Sequence, residues 1–290
     1  MTLVLNRLER LFNALEHFWE HKRTERSAAN VLIITFLGAF ALIELRRQGW
    51  LPEGLAAILP SSHYYAINIA FSMLLALEVL GLVFSLANSL SDSVGKQFEI
   101  LSLILLRQSF KEFIYFKEPL VWVEASKPVL HILSNAGGAL LIFFLLGIYY
   151  KLQHHRSLTQ NSVTTNDFIL SKKIVSLLLL IIFIGIGLTD ALLYLRGEPT
   201  YDFFALFYTA LIFSDLLLVL VSLRYSSSYE SLFRNSGFAV STVVVRLALT
   251  APSYLNVLLG VGAMVFAIGI TVAYNGFENT RTVKGGSELH

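Results

Sequence analysis

The chain has 290 residues, 55% of them hydrophobic and 14% charged, with a formal net charge of +2. That charge content is about half the soluble norm and is gathered between long apolar runs, which excludes an ordinary soluble domain; +2 is too small to argue for a nucleic-acid partner. There is no cysteine, so disulfides, thiol catalysis and cysteine-ligated metals are excluded.

Residues 1–28 mix charge throughout and lack the continuous apolar core and small-residue cleavage site of a signal peptide. Leu5, Leu8, Leu11, Phe12, Leu15 and Trp19 recur at helical spacing, which predicts an amphipathic cytoplasmic helix on the membrane surface. Within it, His17 to His21 reads HFWEH, the H-x-x-E-H order of an inverted zincin. No third ligand in a sheltered site accompanies it, and no metal is assigned. Haem would need opposed histidines inside the spans, where only His131 lies, so no cofactor is expected.

Apolar runs follow at 29–46, 63–89, 97–116, 128–150, 172–195, 201–223, 236–250 and 253–274. A bilayer crossing takes about 20 residues of helix. The third run carries Arg107 and the seventh Arg246, and counting both as spans gives eight helices with both termini on one side. Basic residues test that count. One face then holds fourteen of the Lys and Arg residues, including Arg7, Lys96, Lys172 and Arg234; the other holds six: Arg46, Arg47, Lys111, Lys117, Lys127 and Arg196. Positive residues collect on the cytoplasmic side, so the chain reads as a multi-pass protein of the cell membrane with both termini cytoplasmic.

The chain also repeats itself. Aligning Glu78 with Asp215 brings Leu80 onto Leu217, Ser85 onto Ser222, Leu86 onto Leu223 and Ser89 onto Ser226. In the next helices Ser102 matches Ser241 and Arg107 matches Arg246. Pro128, Gly138, Ala139 and Tyr150 then match Pro252, Gly262, Ala263 and Tyr274. The expected fold is all-α: two tandem four-helix membrane units, 29–151 and 172–275, joined by a cytoplasmic linker at 152–171 and followed by a tail at 276–290. An even number of spans per unit relates the units by a pseudo-twofold along the membrane normal.

Depth pairs the charges. Glu78 and Asp215 lie about 11 and 9 residues from the cytoplasmic ends of their runs, and Arg107 and Arg246 about 10, so all four sit about 14–16 Å deep, near the middle of a core about 30 Å thick. An isolated charge there costs about 2.5 kcal/mol or more. Carboxylate and guanidinium at one depth on consecutive helices offset that cost as a pair, so Glu78–Arg107 and Asp215–Arg246 are expected as two equivalent ion pairs. Glu44, His131, Ser134, Asn135, Thr189 and Asp190 fall near the outer helix ends and form a candidate outer vestibule.

Two functions follow. In one, the protein is a channel or transporter for a small ion, proton or monovalent cation, with Glu78 and Asp215 as the binding or protonatable groups and the arginines as their charge partners. In the other, it is a non-catalytic scaffold or subunit of a membrane complex, and the pairs only fix helix register. Beyond the lipid bilayer, a homo-oligomer or larger assembly is the expected partner. No nucleophile elbow, phosphate loop or dinucleotide fingerprint points to an enzyme.

Overall fold

In the structure, a computed structural model, residues 2–52, 54, 59–86, 90–117, 120–153, 162–196, 198–199, 201–223 and 229–286 are described. Every regular element among them is helical: α1 (Thr2–Glu20), α2 (Lys22–Arg47), α3 (Tyr64–Ser85), α4 (Leu90–Lys111) with a 3-10 turn (Glu112–Tyr115), α5 (Trp122–Leu152), α6 (Ser162–Arg196), α7 (Phe203–Leu223), α8 (Tyr229–Thr250) and α9 (Leu255–Gly286). Seven helices, all but α1 and α4, are long and apolar enough to cross a membrane. Their outward faces carry large apolar side chains, Leu140, Phe143, Ile181 and Leu258 among them, as a helical membrane protein requires. The third expected crossing falls in α4, too rich in charge to join the seven by composition.

Helix boundaries differ from the apolar runs. The helices holding Arg107 and Arg246 start at Leu90 and Tyr229, well ahead of the runs at 97 and 236. Pro128 does not open α5 but lies inside it, after a first turn at Trp122. Hydropathy marks where a helix meets an apolar environment, whereas its backbone hydrogen bonds carry it through polar turns beyond. Ser89 and Ser226 lie outside the described residues.

Four helices, α4, α5, α8 and α9, form the centre. Phe98, Leu105, Ile142, Tyr149, Phe238 and Met264 pack there with almost no exposure. A close approach holds it: a Cβ on Gly138 of α5 would collide with the Val257 side chain of α9. Helices α3, α6 and α7 build a second core from Val79, Val83, Leu179, Phe207 and Leu211. Helix α2 packs mainly on α3 and buries only Ile43.

The surface helix is anchored. Phe12 is buried against Phe84 at the end of α3, Trp19 stacks on the same ring at 5.8 Å, and Glu9 pairs with Lys173 of α6 at 2.8 Å. It ends at His21, whose Nδ1 accepts from the Arg23 N–H and caps α2, so the polar stretch 22–28 belongs to α2. The end of the bundle carrying α1 is called the α1 end below.

Candidate functional site

Glu78 lies on α3 and Arg107 on α4, and their side chains form an ion pair. The hairpin sets their register: Phe71 stacks on Phe110 at 5.0 Å and Tyr64 meets Phe113 at 6.2 Å. Helical side chains lean toward their own N-terminus, which carries the Arg107 guanidinium down α4 to the acid. On α7 and α8, Asp215 and Arg246 come together with Nε 3.3 Å from Oδ2.

The pairs differ in access. Arg246 and Asp215 have side chains 0% and 3% exposed, against 31% for Arg107 and 10% for Glu78. Arg246 Nε faces Asp215 Oδ2 at 3.3 Å, while among the described residues no protein group accepts a hydrogen bond from its two terminal nitrogens. A buried guanidinium with four unsatisfied terminal N–H donors is costly, so its surroundings decide what the site does.

Two cavities flank the pairs. One, about 40 Å³, lies in the α1-end half, where Ser93, Gln97, Lys172, Asp215 and Thr242 share a mainly apolar lining with Leu86, Leu218 and Phe238. The other, about 280 Å³ and more polar, lies in the opposite half and is lined by Glu78, Arg107, Gln108, Lys111, Asp202 and Tyr208. Three helices pass from one to the other: α8 from Thr242 to Leu249, α7 from Asp215 to Tyr208, α4 from Gln97 to Ile104. Each passage covers about 10 Å at 1.5 Å per residue, which sets the thickness of the septum. Leu101, Leu211 and Val245, essentially unexposed, fill it together with Arg246. Tyr208, buried, lies on the far side. A third space, a groove of about 520 Å³ between α2, α3 and α4, runs from Trp19, Glu25 and Glu99 at the α1 end to Glu78 and Arg107.

The expected vestibule residues separate into local clusters. Glu44 Oε2 is 3.0 Å from His63 Nε2 at the α2–α3 turn, and its Oε1 accepts from Gln48. Asp190 Oδ1 accepts from the Tyr201 N–H at the α6–α7 turn, while Thr189 bonds back to the Gly185 carbonyl of its own helix. Asn135, fully buried, accepts from Asn256 Nδ2 between α5 and α9. His131 Nδ1 is 3.1 Å from Glu112 Oε2, and Ser253 donates to Glu112 Oε1 at 3.5 Å. Ser134 is half-buried one turn along from His131. The contacts around His131 and at Asn135 link the two halves of the chain.

Comparison with protein-family models, curated proteins and solved structures returned no match. The site therefore stands on its own geometry.

Several residues here escape sequence reasoning. Lys172 precedes an apolar run and counts there as a mark of the cytoplasmic boundary, yet it lines a cavity and is buried. Glu112 sits in the aromatic insertion "SFKEFIYFKEP" and reads as interfacial, although it is buried and joins three elements. Gln97 and Tyr208 carry no motif at all. Only Asn256, a lone amide in an apolar run like Asn135, gives a signal. Among the described residues no group of three metal-ligating side chains occurs, and the His17 and His21 rings lie 6.0 Å apart.

Proposed function

We propose that the protein is a membrane channel or transporter for a small ion, proton or monovalent cation, whose path runs along the two ion pairs. The observation that carries this reading is the pair of cavities in opposite halves of the bundle, with Asp215 and Arg246 at the septum between them. A structural clip has no need of a cavity opening onto its carboxylate, as one opens onto Asp215. Charged groups inside an apolar bundle are costly, and those facing a polar cavity mark ion paths.

The path begins at Lys111 and Asp202, descends past Glu78–Arg107 to Tyr208, crosses the septum at Arg246–Asp215 and leaves through Thr242, Gln97 and Lys172. Glu78 and Asp215 bind or relay the ion and the arginines balance their charge. The α1 end is cytoplasmic in this reading, with the chain in the cell membrane as a homo-oligomer or part of a larger complex.

In the same reading α4 is an eighth crossing. Its Gly95 end packs on the Tyr150 ring and the Glu112 turn beyond it meets His131, so α4 runs antiparallel to α5 along nearly its whole length. Packing also supports two tandem four-helix units. Helices α4 and α8 pack together, as do α5 and α9, so the third and the fourth helix of each unit meet their counterparts. Matching positions make matching contacts: Tyr150 lies against Gly95, and Tyr274 lies 4.4 Å from the Arg234 guanidinium.

One observation favours the scaffold reading, namely the near-complete burial of Asp215–Arg246, typical of a register-fixing pair. Flux in liposomes carrying the purified protein separates the two. The transport reading expects potential-driven flux in the native protein and its loss in a folded Asp215→Asn, Arg246→Gln double variant. Absence of flux across protons, monovalent cations and chloride leaves the pairs structural.

A further inference from the structure

The ion itself can be narrowed. Resting on the transport reading, we infer that the carried ion is the proton, which crosses the septum on water ordered by Arg246, with the Asp215 carboxylate as the relay.

Three observations lead there. First, the septum is about 10 Å thick and closed by Leu101, Leu211 and Val245 around a guanidinium with no exposure. A sodium or potassium ion entering it meets the fixed charge of Arg246 at contact distance. An anion attracted by Arg246 meets Asp215. Opposite charges held in contact therefore exclude bulk ions of either sign.

Second, among the described residues no protein group satisfies the terminal nitrogens of Arg246, which are fully buried beside Asp215. Buried polar groups of this kind are met by ordered water making two to four hydrogen bonds. Water held there joins the Tyr208 side of the septum to the Thr242 side.

Third, the Asp215 carboxylate, which lines the α1-end cavity beside Arg246, can take up and release a proton. A proton arriving on water from the Tyr208 side bonds to an Asp215 oxygen, giving a neutral carboxyl. The same carboxyl then loses a proton to water in the α1-end cavity and returns to carboxylate. No electrons move, and Arg246 stays charged throughout. The groups facing Asp215 are Arg246 and Thr242 of α8, with Lys172 of α6 in the same cavity.

The test uses the full-length protein in liposomes under a potassium–valinomycin potential, with internal pH and chloride followed by trapped dyes. The expected result is internal pH change that persists when sodium is replaced by a large organic cation and chloride by a large anion. It slows in deuterium oxide, is diminished in Tyr208→Phe and is lost in the Asp215→Asn, Arg246→Gln variant. Flux of sodium, potassium or chloride with no pH change overturns the proton assignment and leaves the transport reading standing. No flux of any ion overturns both. The ion-replacement arms need only the native protein, so a variant that fails to fold does not remove the test.

Discussion

Losing one acid should cost far more at one pair than at the other. Asp215→Asn leaves Arg246, with no exposure, holding an uncompensated charge, and breaking a buried pair in this way costs about 3–5 kcal/mol. Glu78→Gln leaves Arg107, with 31% of its side chain exposed, on a polar cavity of about 280 Å³ that the proposed path fills with water, so the loss is screened there. Its cost falls to about 1 kcal/mol, the upper range for accessible pairs. The gap of about 2–4 kcal/mol follows from burial alone, since both variants replace a carboxylate by its amide. Unfolding in mixed micelles with increasing dodecyl sulfate, followed by helical circular dichroism, measures both. The Asp215→Asn, Arg246→Gln variant, lacking both charges, should regain most of the stability. Equal losses at the two pairs would refute the assignment of one as sealed and the other as open.

Other outcomes are as specific. Phe12→Ala removes the buried anchor of α1, and hydrogen exchange should then accelerate across residues 2–20 with the central helices unchanged. Gly95→Ala puts a methyl group 2.7 Å from the Tyr150 ring and should destabilise by about 1–3 kcal/mol, part of which Tyr150→Leu recovers in the double variant. Glu112→Gln and His131→Gln should show a coupling of about 0.5–3 kcal/mol in a double-mutant cycle read by the same unfolding titration. Independent effects there would mean that the contact joining the 3-10 turn to α5 carries no energy.

How much of this was legible beforehand depends on what the residues face. Glu78, Arg107, Asp215 and Arg246 stand out because a charge in an apolar run has few partners, and equal depth on adjacent helices names them. Their difference in exposure was not legible, because it depends on which helices stand behind each pair. Arg246 is backed by the central bundle, whereas Arg107 borders the gap between α2 and α4. The vestibule residues, expected at one level in the membrane, do not share a location. Glu44, His131 and Asp190 lie at three different helix turns, each paired within reach. Lys172 misled because a basic residue at the edge of an apolar run marks the boundary whether it points outward or, as here, into a cavity. The start of α4 at Leu90 was hidden because hydropathy is silent about a helix that continues beyond the apolar layer.

The central claim is a path that enters from both faces and narrows at Asp215. Because the chain has no cysteine, a single introduced thiol reports access without background. Ala239→Cys lines the α1-end cavity and Gln108→Cys the opposite one. The measurement is labelling of each by a small membrane-impermeant thiol reagent, added to one face of oriented vesicles at a time, with proton flux followed before and after. The account predicts that Ala239→Cys reacts from the cytoplasmic face, Gln108→Cys from the other, and that either modification blocks flux. Labelling of both from one face, or modification that leaves flux unchanged, would contradict it.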